Sequence, residues 1–143
     1  MRERLISNYN EETGISTVTI INRYGKFTGT STLLEEDRPF ESHLAGCRFA
    51  EMKAQVKYFK ERMRREAATI KALENFQKVI VDCKGYNEKS TEARQLRKQI
   101  YLHKHCYETF RACKESLEIK IKEHIDYRDK VVRKAAEKKG KNN

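Results

Sequence analysis

The stretch Ile15-Ser16-Thr17-Val18-Thr19-Ile20-Ile21-Asn22-Arg23-Tyr24-Gly25-Lys26-Phe27-Thr28-Gly29-Thr30-Ser31-Thr32-Leu33 decides the fold class. Its first seven residues are dense in the Thr, Val and Ile that suit a pleated, half-buried surface. Asn22 to Lys26 then read as a turn, with Gly25 supplying a residue tolerant of positive φ. Beyond it Phe27, Gly29, Ser31 and Leu33 alternate with Thr28, Thr30 and Thr32, the period of a returning strand. Working backward, Asn10-Glu11-Glu12-Thr13-Gly14 is a second turn, and Leu5 to Tyr9 is a preceding strand. The spacing predicts a three-stranded antiparallel meander over residues 1–36. Such a ribbon leaves unpaired edges and at least one apolar face, and it needs a helix or a second copy to cover it.

Working forward, one Pro and six Gly in 143 residues leave little to break helices. Asp37 is placed to cap, and Pro39 to occupy the first turn of, a helix expected over 38–82. Phe49, Met52, Val56, Phe59, Met63, Ile70, Leu73 and Ile80 recur at steps of three and four, with Glu66 the odd member. Gly85 punctuates the end, Tyr86 is placed to cover the turn, and Asn87 or Ser90 can cap the next helix. That second helix is expected over 88–138. Its stripe runs through Leu96, Ile100, His103, Tyr107, Phe110, Leu117, Ile121, His124, Val131 and Ala135, interrupted by Lys114 and Arg128.

The expected class is therefore α+β: a small N-terminal antiparallel β-meander, then two long antiparallel α-helices forming a hairpin, in one domain over 1–138 with a basic flexible tail at 139–143. Helices of about 40 and 50 residues would be about 60 and 75 Å long. Each would leave apolar area on its outer flank, which implies a homo-dimer or higher homo-oligomer. Breaks that fold the stripes back into a monomeric bundle are the alternative.

The formal charge is +10, and 36% of residues are charged. Residues 1–70 hold 12 basic and 10 acidic side chains, whereas 71–143 hold 19 and 11, which puts the excess in the second half. Lys130, Arg133, Lys134, Lys138, Lys139 and Lys141 concentrate it at the end. These charges complement a helix dipole and maintain solubility, and they also attract phosphate, in nucleic acid or in a small ligand. No helix-turn-helix, RRM core, zinc finger or arginine-rich tract is present, so nucleic-acid binding through the basic half rests on charge alone. For a phosphorylated ligand the candidate binding residues are Arg23, Tyr24 and Phe27 near the second turn, Arg48 on the first helix, and Arg94, Arg97, His103 and Tyr107 on the second. Arg forks onto phosphate and the rings can stack on a base. Lys26 and Arg38 have related chemistry. For Tyr24 and Phe27 ordinary strand packing is the competing assignment, and for Arg48 a surface ion pair.

The chain has no phosphate-cradling glycine loop, dinucleotide fingerprint or HExxH, and no catalytic signature among its Ser, Cys and His residues. It is expected to be non-enzymatic and to need no cofactor. His103, His105, Cys106 and Cys113 form the densest group of ligating types, but their spacing fits no common closed zinc site. Core packing of Cys106 and Cys113 is expected instead, and no metal. A polar start, the absence of an apolar run of membrane-spanning length, and four Cys outside any disulfide framework point to reduced thiols, no membrane and a cytoplasmic location.

Gly29-Thr30 to Leu33, Glu35-Glu36-Asp37, Phe40, Ser42, Gly46-Cys47, Ala50-Glu51 and Lys53-Ala54 to Lys57 resemble the strand, acidic turn and helix start of small accessory proteins of phages and prophages of low-GC Gram-positive bacteria. The plan of a short sheet before two long helices also resembles the Thoeris anti-defence family that sequesters a cyclic ADP-ribose signal. The resemblance implies a molecular sponge in the host cytoplasm, binding a cyclic nucleotide between subunits without cleaving it. Its binding residues do not carry over one by one.

Overall fold

The structure, a computed structural model, describes residues 2–32 and 43–141. Strands β1 (Arg4–Asn10), β2 (Ile15–Asn22) and β3 (Gly25–Thr32) precede helices α1 (His43–Val81) and α2 (Thr91–Lys141). The sheet has the order β1-β2-β3 and both pairings are antiparallel, the meander expected from the sequence. With the two helices antiparallel in a hairpin after it, the α+β class holds. Pro39 and Asp37, the expected start of the first helix, lie outside the described residues, as do Arg38 and Leu33.

The chain divides into two compact units: residues 1–58 with 114–143, and residues 59–113. In the first, the meander lays one face on α1. The register pairs Ser16 with Ser31, Val18 with Gly29 and Ile20 with Phe27, and all six are buried. They meet a line of small residues on α1, Gly46, Ala50 and Ala54, spaced by four and all buried. Phe27, Ile20 and Ala54 form one buried cluster, with Tyr24 and Tyr58 packed on it. Tyr58 meets both Phe27 and Tyr24 edge-on, at ring separations of 5.6 and 6.1 Å. Asn22 and Gly25 close the second hairpin around Arg23 and Tyr24, with φ at Gly25 of +137°. Asn22 Oδ1 accepts the Tyr24 N–H at 2.9 Å.

The long stripes bury as their spacing predicts. Every named member of both is buried or half-buried, including the odd ones. Polar members meet compatible partners: Glu66 Oε2 lies 2.5 Å from His103 Nδ1, and His124 stacks on Phe49 at 4.7 Å. Lys114 instead runs along its helix to Glu118, 2.7 Å away. Two expectations for the cysteines part here. All four are free thiols, but Cys106 is exposed and Cys113 only half-buried, so Cys106 is not core filler. Three residues beyond His103, it falls off the buried stripe, which continues through Tyr107.

The boundaries shift for identifiable reasons. Asn87 does not cap α2 but makes a turn, its Oδ1 accepting the Lys89 N–H and its carbonyl the Ser90 N–H, each at 3.0 Å. Ser90 is the cap, with Oγ accepting the Ala93 N–H at 3.2 Å, so α2 begins at Thr91. Replacing Ser90 by Ala is expected to cost about 1 kcal/mol in urea denaturation. Gly85 lies in the loop after α1, with φ of +89°. At the other end the helix runs on to Lys141, so residues 139–141 of the expected flexible tail are helical. No helix among the described residues is long and apolar enough to cross a membrane.

Candidate functional site

In the unit formed by residues 59–113, α1 and α2 lie side by side with alternate contacts of rings and charges. Phe59 and Phe110 sit 6.1 Å apart, and the Arg62 guanidinium covers the Phe110 ring at 4.4 Å. On one flank the two helices border an open cleft of about 410 Å³, the lower part of the size range of small-molecule sites. Its walls follow from helix periodicity. Ala67, Lys71, Glu74 and Lys78 repeat at steps of three and four along α1 with Ile70 beside them, and Lys104 and Tyr107 stand three apart on α2.

Ala67 and Ile70 give the cleft an apolar patch, Tyr107 a ring with a hydroxyl, and Asn75 an amide. Around them stand three lysines and a single carboxylate. Glu74 is 3.5 Å from Lys104, a loose pair that leaves Lys71 and Lys78 as net positive charge. An apolar patch, an aromatic ring and ammonium groups along one cleft suit a base or sugar carrying phosphate. A second hollow of about 410 Å³ lies by the loop between the helices, walled by Phe76, Ile80, Tyr86 and Leu96 among others. It is mainly apolar and carries Lys84 as its only cation among the lining residues.

Of the residues singled out from the sequence, Tyr107 alone lines the lysine cleft. His103, one turn away, is held by Glu66. Arg97 donates to the Glu88 carbonyl at 2.7 Å and so braces the loop, while Arg94 is exposed in the first turn of α2. The other four belong to the first unit. Phe27 is 8% exposed and is core, as the strand-packing assignment has it. Tyr24 is half-buried against Tyr58, with Arg23 over its ring at 4.8 Å and bonded to its hydroxyl at 2.5 Å. Arg48 is exposed on α1. The structure thus gathers lysines, not arginines, beside the tyrosine. Lys71, Lys78 and Lys104 have no local signature, because Lys104 lies 33 residues beyond Lys71 and on the other helix, so their grouping depends on how the two helices are registered.

Several other cations of note lie in the first unit. Lys53 and Lys57 donate to the Thr30 and Thr28 carbonyls at 3.0 and 2.6 Å, capping the outer edge of β3. Burial, then Arg128 and Lys57 nearby, push the Lys53 ammonium below the usual lysine range. On α2, Lys130, Lys134 and Lys138 are exposed at steps of four and form one cationic line. Glu61 is held at about 2 by hydrogen bonds from Arg64 and Arg65 on the same helix, a surface cluster rather than a proton donor at neutral pH. No three His, Cys, Asp or Glu side chains among the described residues group as metal ligands would. No family model, curated protein or solved structure matches the chain.

Proposed function

We propose that this protein binds and sequesters a phosphate-bearing cyclic nucleotide of the cyclic ADP-ribose type without cleaving it, the activity that the resemblance to phage anti-defence sponges implies. The observation that supports it is the cleft in which Tyr107 stands among Lys71, Lys78 and Lys104. In this reading Tyr107 and the Ala67–Ile70 patch take the base or ribose, and the lysines neutralise the diphosphate. In this reading the cleft captures the nucleotide and does not turn it over. A second copy laid over the open side would turn it into a pocket between subunits.

The test is calorimetric titration of the purified chain with cyclic ADP-ribose isomers, linear ADP-ribose and mixed-sequence duplex DNA, followed by mass spectrometry of the released material. Saturable binding and intact recovery of a cyclic nucleotide are expected. Lys71→Ala should weaken it at least about tenfold with an unchanged melting curve, and Tyr107→Ala, which also removes a half-buried ring, should weaken it at least as much at a temperature where the variant stays folded. Absence of binding by every cyclic nucleotide sinks the reading.

The exposed line Lys130, Lys134 and Lys138 favours a second reading, attachment to a nucleic-acid backbone. Its signature in the same titration is duplex binding that falls steeply with added salt and is indifferent to Tyr107→Ala.

A further inference from the structure

The two edges of the small sheet are treated differently. On β3, Lys53 and Lys57 occupy the Thr30 and Thr28 carbonyls, so that edge is closed to another strand. Those carbonyls point away from β2, and the alternation of an antiparallel ladder fixes the rest. Thr17 and Thr19, opposite Thr30 and Thr28, direct their backbone groups to Asn8 and Ile6 on β1. The backbone N–H and C=O groups of Leu5 and Ser7 therefore point outward, along the edge of β1 away from β2. Nothing among the described residues pairs with them as a strand. This edge is lightly guarded: within Arg4-Leu5-Ile6-Ser7-Asn8-Tyr9-Asn10 there is no Pro, no Lys and no bulge in the register, and Arg4 at its start is the one charge. Leu5 and Ile6, on opposite faces, are each 52% exposed.

We infer that β1 is an interface for a second copy of this chain, pairing antiparallel with its mate about a twofold axis at Ser7 to make one six-stranded sheet. The register follows from the outward groups. Ser7 exchanges both backbone hydrogen bonds with its mate, Leu5 comes opposite the mate's Tyr9, and Ile6 opposite its Asn8. Charge selects the same arrangement. The strand is basic where it begins, at Arg2 and Arg4, and acidic just past its end, at Glu12, which this register sets opposite the mate's Arg2. Antiparallel self-pairing sets each basic end beside the mate's acidic end, whereas parallel pairing sets like beside like. Glu3, the one acid at the basic end, is turned toward β2, where the Asn22 amide donates to it at 3.2 Å.

The test is analytical ultracentrifugation of the full chain without ligand, so its failure leaves the nucleotide reading standing. A dimer is expected. Ser7→Lys and Ser7→Glu each place like charges face to face at the axis and should each raise the dissociation constant at least tenfold. Mixing the two variants should restore a heterodimer, which shows that both remain folded and that position 7 meets itself. A monomeric wild-type chain, as an edge reserved for a foreign strand would give, overturns the inference. A dimer indifferent to both substitutions, as a helix-only interface would give, or a mixture without recovery overturns it equally.

Discussion

Replacing Gly29 by Ala is expected to cost at least about 3 kcal/mol, at or above the upper end for overpacking, and to do so without touching a strained backbone angle. Gly29 lies in the middle of β3, where α1 crosses the sheet. A Cβ there would stand 2.0 Å from the Ala50 carbonyl oxygen, 2.7 Å from the Ala54 nitrogen and 2.9 Å from the Lys53 Cβ. Two of these are backbone atoms of a helix and cannot rotate away. Relief needs strand and helix to separate, which also pulls Lys53 and Lys57 off the Thr30 and Thr28 carbonyls and opens Val18 and Ala50 to water. Gly85→Ala is the matched control. At φ of +89° it strains the backbone, but nothing lies within 4 Å of the added methyl. Its cost should be about 1 kcal/mol, the penalty of the angle alone. Urea denaturation of the two variants checks the contrast. A Gly29→Ala loss no larger than that of Gly85→Ala would contradict the close approach of α1 to the sheet.

The same contact shows what could be read from the sequence. The alternation after Phe27 assigned the buried face of β3 correctly through Ser31, because a strand's two faces are fixed by a period of two. The helical stripes were equally legible, since a period of 3.6 repeated over many turns survives odd members such as Glu66, Lys114 and Arg128. Glu66 is explained only by its partner His103, a polar member of the facing stripe. The small-residue line Gly46, Ala50 and Ala54 was present at a spacing of four, yet hydrophobic periodicity does not register it. It marks a second buried face on α1, toward the sheet, that large apolar residues would have filled. The cleft was the least legible part. Tyr107 could be found as an aromatic in a stripe, but lysines at 71, 78 and 104 look like any solvated flank until the hairpin register sets them side by side. The arginines drew attention for the chemistry of their forks, and the fold puts Arg97 to structural use on the Glu88 carbonyl.

Phe27→Ala is expected to be the other severe change, at about 3–5 kcal/mol, the range for emptying a buried aromatic site. The ring is 8% exposed and packs with Ile20, Ala54, Tyr24 and Tyr58. The backbone of α1 at Ala54 is already in contact with β3 through Gly29, so the helix cannot settle into the vacated volume. Phe27→Leu retains most of the apolar volume and should lose less than half as much. The substitution also separates two roles that the sequence left open for this residue. As a core ring, Phe27 affects the stability of the unit that holds the sheet. As a stacking ring for a nucleotide, it would affect affinity at temperatures where the protein stays folded. Denaturation and calorimetry on the milder Phe27→Leu variant distinguish the two: lower stability with unchanged nucleotide affinity is expected. A tenfold loss of affinity in a folded Phe27→Leu protein would instead return the binding site to the sheet and remove the lysine cleft from consideration.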